Sequence, residues 1–221
     1  MTLSIVKEDI KSLVDGLNFA EKVERSLSLI REARREFDDG LVVANSLGKD
    51  SCVVWHLAKR VDPKIRGFIV TTRFKPKETV EFMNRAVAQY PELRVYQNSE
   101  PIPDRLYEVD PDRCCDILKV QPTRRAIEEM GVNCWVTGLR CTEGRTRTDF
   151  REIEQRDPGL VKLNPILLWH ERLWERIDWG KVRHPLSHLP MREGLTADDV
   201  REIAKLLEEK AFVVRRPEYE I

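Results

Sequence analysis

Two kinds of hydrophobic pattern alternate along the chain. Over residues 20–36, Val23, Leu27, Leu29, Ile30 and Ala33 recur at helical spacing among charged positions, and Asp38-Asp39-Gly40 ends the run. This predicts an amphipathic helix followed by a turn. Leu41-Val42-Val43-Ala44 is a continuous apolar run, as expected of a strand covered on both faces, and over residues 50–60 Val53, Val54, Leu57 and Ala58 return to helical spacing. The alternation continues with strands predicted over 66–72, 93–96 and 133–138 and helices over 77–90 and 120–130. Strands alternating with helices of this length predict an open, mainly parallel α/β sheet with helices on both faces, because each parallel crossover must pass over a face of the sheet. Residues 1–166 are expected to form this domain and residues 167–221 a C-terminal helical segment packed on it. Ligands of such sheets lie outside the carboxyl ends of the strands. Three strand ends are polar there: residues 46–51, 71–74 and 138–147.

Composition narrows the class. The 221 residues are 41% hydrophobic and 34% charged, with 38 basic side chains against 38 acidic. The longest uncharged apolar run falls far short of the roughly 20 residues of a membrane-spanning helix. Lys7, Glu8, Asp9 and Lys11 interrupt the apolar core that a signal peptide requires, so a cytoplasmic location and no membrane association are expected. Balanced charge gives no electrostatic argument for nucleic acid. Five cysteines, an odd number in a chain large enough to bury a core, suggest thiols or metal ligands over a disulfide framework.

Ser46-Leu47-Gly48-Lys49-Asp50-Ser51 lies between a buried strand and a helix. Successive backbone N–H groups and a helix N-terminus can hold phosphate or sulfate there; Gly48 permits close approach, Ser46 and Ser51 add hydroxyls, and Lys49 adds a charge. The spacing differs from G-x-x-x-x-G-K-[ST]. A simpler reading is also open, in which Asp50 or Ser51 caps the helix and Gly48 only turns the chain. Past the strand over 133–138, Arg140, Arg145 and Arg147 stand beside Gly138 and Gly144. Guanidinium forks match phosphate and sulfate oxygens, so these arginines are candidates for an anion clamp, or else for an exposed loop paired with Glu143 and Asp149. Cys114 and Cys115 are adjacent, next to Arg113 and followed by a helix, a setting suited to metal ligation or redox chemistry.

The loop resembles the S-x-G-x-D-S pyrophosphate loop of the adenine nucleotide alpha hydrolase superfamily (PP-loop proteins), and within it the phosphoadenosine phosphosulfate (PAPS) reductase family. Four more stretches follow in that family's order. Thr71-Thr72-Arg73-Phe74 with Glu78-Thr79 is similar to its D-T-G loop and F-P-E-T helix start. Cys114-Cys115 with Lys119-Val120-Gln121-Pro122 is similar to C-C-x-x-x-K-V-x-P, Trp135-Val136-Thr137-Gly138-Leu139-Arg140 with Arg147 to W-x-T-G-x-R…R, and Asn164-Pro165 with Trp169 to N-P-L-x-x-W. The resemblance implies the adenine nucleotide alpha hydrolase-like fold and an oxidoreductase of sulfate assimilation that reduces PAPS or adenosine phosphosulfate (APS) to sulfite. Its nucleotide would be held by Ser46, Gly48, Lys49, Asp50, Ser51, Thr72, Lys119, Gly138, Arg140 and Arg147. One branch of the family binds an iron-sulfur cluster, for which Cys114, Cys115 and Cys141 are the candidate thiols here; the second Cys pair of that branch is missing. Cys134 is expected in the core, and Trp169 and Trp174 against the sheet. The family's C-terminal E-C-G-L-H motif is also not found, and Thr71 and Arg73 stand where the family has Asp and Gly. Two alternatives therefore stay open. One is an ATP pyrophosphatase that adenylates an acceptor for sulfur transfer, with Asp50 helping to place Mg²⁺; the other is a non-catalytic nucleotide-binding subunit. Expected partners are the nucleotide, a thioredoxin-like or Cys-bearing protein, and further copies of the same chain.

Overall fold

The structure, a computed structural model, describes residues 14–141 and 150–169. Helix α1 (Phe19–Phe37) begins at a reciprocal cap: the Glu21 amide donates to Asn18 Oδ1 at 3.1 Å and the Asn18 amide donates to the Glu21 carboxylate at 2.7 Å. It leads through a 3₁₀ turn (Asp38–Gly40) into β1 (Leu41–Ala44), then α2 (Lys49–Val61), β2 (Arg66–Thr71), α3 (Lys77–Gln89) and β3 (Leu93–Gln97). Two short helices, α4 (Leu106–Val109) and α5 (Pro111–Cys115), precede a π-helical turn (Asp116–Val120) that runs directly into α6 (Gln121–Glu129). Strands β4 (Cys134–Val136), β5 (Ile153–Asp157) and β6 (Leu160–Leu163) complete the described elements.

The six strands form one sheet in the order β3-β2-β1-β4-β6-β5. β1 is central, pairing in parallel with β2 (Val43 opposite Gly67) and with β4 (Val43 opposite Val136). Leu41, Val42 and Val43 are all buried, as a strand covered on both faces requires. On one face Val42, Phe68 and Tyr96 pack with Ala126, Met130 and Val132 from α6 and the turn beyond it. On the other, Trp55 of α2 lies on Gly67, where a Cβ would meet the ring at 2.7 Å. The predicted α/β class and its parallel sheet are thus the observed ones.

Three expectations need correcting. The sequence pattern predicts four strands, whereas β5 and β6 add an antiparallel hairpin turned at Pro158-Gly159, with Gly159 at φ 86° and β6 running parallel to β4. Glu154, Arg156 and Asp157 dilute the apolar signal of β5, and Lys162 sits buried in the middle of β6. The last predicted strand stops early. After Val136 the chain leaves β1 and Thr137 N–H donates to Leu163 O at 2.8 Å. The helix predicted over 120–130 is only the end of a longer helical path, because Pro111 follows the capping residue Asp110, whose carboxylate accepts the Arg113 amide at 2.9 Å. Residues 165–168 form a turn, and the expected C-terminal helical segment beyond Trp169 lies outside the described residues. Trp169 is buried, its indole N–H donating to Ser26 Oγ at 3.1 Å and its ring edge-on to Phe19.

A methyl group at position 67 would collide with Trp55, with Leu93 at 2.8 Å and with the Val43 carbonyl at 3.0 Å. Gly67→Ala is expected to lower the unfolding free energy by about 1–3 kcal/mol, the cost of overpacking a filled core. Urea denaturation followed by tryptophan fluorescence measures it.

Candidate functional site

The β1-to-α2 loop stands at the carboxyl end of the central strand. Asn45, buried, receives the Leu47 amide on Oδ1 at 2.8 Å and lies 3.1 Å from the Ser51 hydroxyl. That contact folds the loop back on itself and holds Leu47 at φ 64°, in the left-handed region that non-glycine residues rarely occupy. Ser46 Oγ and Ser51 Oγ meet at 3.1 Å, and Ser51 Oγ also donates to Gly48 O at 2.9 Å. Gly48 is the N-cap of α2 and offers no side chain to its first amides. The first-turn amides and the positive end of the helix dipole therefore point out of the loop beside Lys49, with Ser46 and Gly48 exposed. Asn45 escaped the sequence reading because its role is internal; a polar residue ending an apolar strand was its only signal.

The segment after β4 buttresses this loop from below. Gly138 packs directly on the first turn of α2: a Cβ there would lie 2.8 Å from Ser51 N and 2.9 Å from Asp50 C. Two backbone bonds pin the segment, Thr137 N–H to Leu163 O at 2.8 Å and Cys141 N–H to Leu167 O at 2.9 Å. Thr137 Oγ1 also donates to Asn164 Oδ1 at 2.6 Å. Arg140 lies between the two pins. The sequence reading expects it to clamp an anion directly, but the structure places its side chain at 0% exposure, with Nε 2.8 Å from Asp50 Oδ1. Arg140 thus meets the loop from inside, through Asp50. Arg147, like Arg145, lies outside the described residues.

The end of β2 forms the neighbouring part of the rim. Thr72 O accepts the Lys75 amide at 3.3 Å, turning the chain so that Arg73 lies over the exposed ring of Phe74. The π-helical turn carrying Lys119 packs against β2. Burial holds the half-buried Lys75 ammonium below the usual lysine range, and the nearby Lys119 ammonium lowers it further. Lys75 is a site candidate that sequence spacing alone does not single out, since its neighbour is 44 residues away along the chain.

The thiols divide by burial. Cys52 and Cys134 are fully buried, and loss of solvation pushes both up to about 12, with Asp50 adding to the shift at Cys52 and Glu36 at Cys134. Burial also raises the half-buried Cys141. Cys114 is half-buried and Cys115 exposed. No three His, Cys, Asp or Glu side chains among the described residues are grouped so as to hold a metal ion. Cys114, Cys115 and Cys141 are therefore not brought together, and the described residues do not fit a cluster.

Two outcomes follow from this geometry. Gly138→Ala is expected to displace the first turn of α2 and weaken phosphate-group binding at least tenfold, about 1.4 kcal/mol, as titration calorimetry measures. In native protein at pH 8 a thiol-disulfide reagent is expected to modify Cys115 first and leave Cys52 and Cys134 untouched; peptide mass spectrometry locates the adducts.

Comparison with known proteins agrees with the fold and the ordered motifs. A model of the phosphoadenosine phosphosulfate reductase domain matches residues 40–182. A phosphoadenosine 5'-phosphosulfate reductase of Gloeobacter violaceus is 29% identical over 177 residues, covering 75% of this chain and 71% of that protein. An adenosine 5'-phosphosulfate reductase of Halalkalibacterium halodurans is 29% identical over 192 residues, covering 82% of each. A phosphoadenosine 5'-phosphosulfate reductase of a Synechococcus species is 32% identical over 161 residues, 67% of this chain and 68% of that one. The crystal structure of a phosphoadenylyl-sulfate reductase from Candida auris superposes with a TM-score of 0.61 at 23% identity, covering 84% of this chain and 92% of that one, a likeness of fold. With its parallel sheet and its loop at the end of β1, the chain belongs to the phosphoadenosine phosphosulfate reductase domain family, a family of oxidoreductases built on a nucleotide-binding fold.

Proposed function

We propose that this protein is a sulfonucleotide reductase, binding APS or PAPS at the carboxyl-end rim and taking part in reduction of its sulfonate to sulfite. The observation that carries the reading is the loop itself: an N-cap without a side-chain cap, two serine hydroxyls and Lys49 at the end of the central parallel strand. That arrangement suits the phosphate of a 5'-phosphosulfate. Lys75 and Lys119 would supply positive charge for the remaining anionic oxygens and Thr72 a hydroxyl donor, and the motif position of Arg147 supports the same role for it. The substrates of the relatives, named as PAPS in some and APS in others, support the class and leave the 3'-phosphate to experiment.

The chemistry requires two electrons. A thiolate attacks the sulfonate sulfur, the S–O bond breaks, and the nucleotide leaves as AMP or adenosine 3',5'-bisphosphate; a second thiol then releases sulfite and closes a disulfide. A thioredoxin-like or other Cys-bearing partner is the proposed source of the reducing thiols. The described residues contribute binding and charge neutralisation of the leaving phosphate.

The test combines calorimetry against APS, PAPS and ATP with sulfite release in the presence of reduced thioredoxin. Binding of a phosphosulfate with sulfite release is the expected result; failure to bind either sulfonucleotide overturns it. Pyrophosphate release from ATP would move the chain to the adenylating reading. Lys75→Met is expected to weaken the preferred phosphosulfate by about tenfold, the lower end of a charge-assisted hydrogen bond. Because that ligand favours the charged ammonium, its binding is also expected to take up protons at alkaline pH. Calorimetry in two buffers of different ionisation enthalpy measures the uptake, which Lys75→Met should abolish.

A further inference from the structure

Asp50 presents a difficulty for any anion at this loop. It is the second residue of α2, inside the turn whose amides would receive the phosphate. A carboxylate there interacts well with the helix dipole but repels the ligand across a few ångströms. Asp50 forms an ion pair with Arg140, whose guanidinium has no solvent exposure. That guanidinium is fixed by the two backbone bonds that pin residues 137 and 141, and by the close packing of Gly138 on Asp50 and Ser51.

We infer that Arg140 is a positioning residue that neutralises Asp50 from the protein interior, so that the first turn of α2 presents net positive potential to a nucleotide anion. This rests on the reading of the loop as the nucleotide's phosphate site. Arg140 itself does not contact the nucleotide. Its effect passes through Asp50, and it grows with the negative charge of the ligand. A purely structural brace would alter the binding of charged and uncharged ligands alike.

The experiment measures the affinity of adenosine, AMP and adenosine 3',5'-bisphosphate by calorimetry for the parent protein, Arg140→Met, Arg140→Lys and the double variant Arg140→Met/Asp50→Asn, with circular dichroism confirming folding. Arg140→Met is expected to lose about tenfold or more for the bisphosphate, less for AMP, and under about threefold for adenosine, as expected when a repulsive charge is uncovered near the site. Arg140→Lys, which keeps the charge, and the double variant, which removes both charges together, should recover most of the loss. Equal losses on all three ligands, an unchanged bisphosphate affinity in Arg140→Met, or no recovery in the double variant overturns the inference. If Arg140→Met does not fold, the other two variants decide: bisphosphate binding near the parent's in both supports it, and loss in both overturns it. Failure of the parent to bind any of the charged nucleotides would instead overturn the reading of the loop as a phosphate site.

Discussion

Parallel pairing around β1 is the constraint from which the rest of the molecule follows. β1 is held on both sides by strands running the same way, so the chain must cross over a face of the sheet to enter each one. Those crossovers bury both faces, which is why Leu41, Val42 and Val43 are apolar without alternation. They also bring the carboxyl ends of β1, β2 and β4 to one rim. The loop after β1, the Thr72–Lys75 turn and the Gly138–Arg140 segment are neighbours because of strand direction, though about 90 residues separate the first from the last along the chain.

On that rim the backbone is prepared by buried polar groups. Asn45 ties the loop's left-handed residue and its last serine to the end of β1. Arg140, with no solvent exposure, forms an ion pair with the partly exposed Asp50. A pair of this kind adds little stability compared with an apolar pair of similar volume, because desolvating two charges offsets most of their attraction. Its value lies in direction and charge: it fixes where the first turn of α2 sits and what potential that turn carries. The packing of Gly138 against the α2 backbone serves the same end, since a side chain there would separate the two segments.

The thiols show how differently one residue type behaves in different settings. Cys52 and Cys134 are core packing residues held protonated by burial, and in this role they resemble alanine or valine more than a redox group. Cys114 and Cys115 lie on the helical path that continues through the π-helical turn bearing Lys119, with an exposed thiol at Cys115. Single-turn π segments inside helices are often found at functional positions, and this one packs against β2.

Much of the fold was legible in the residues. Runs such as Leu41–Ala44 and the periodic Val53, Val54, Leu57 and Ala58 carry their own signal, because burial on two faces or one stripe dictates composition directly. The loop 46–51 carried a local signal of a weaker kind: serines, a glycine and a lysine between a strand and a helix left an anion site and a plain helix cap both open. The β5–β6 hairpin was not, since Lys162 and the charges of β5 are tolerated only through partners brought by the fold: Glu154 near the Lys162 ammonium, and the Phe150 and Trp135 rings beneath it. Arg140 shows the division most sharply. Its sequence setting, past a strand end among other arginines, marks it as a candidate for an anion site, and the residues by themselves determined no more than that. Whether its guanidinium turned outward to a ligand or inward to Asp50 was decided only by tertiary structure, because that choice depends on how closely the backbone at Gly138 approaches a helix 87 residues earlier in the chain.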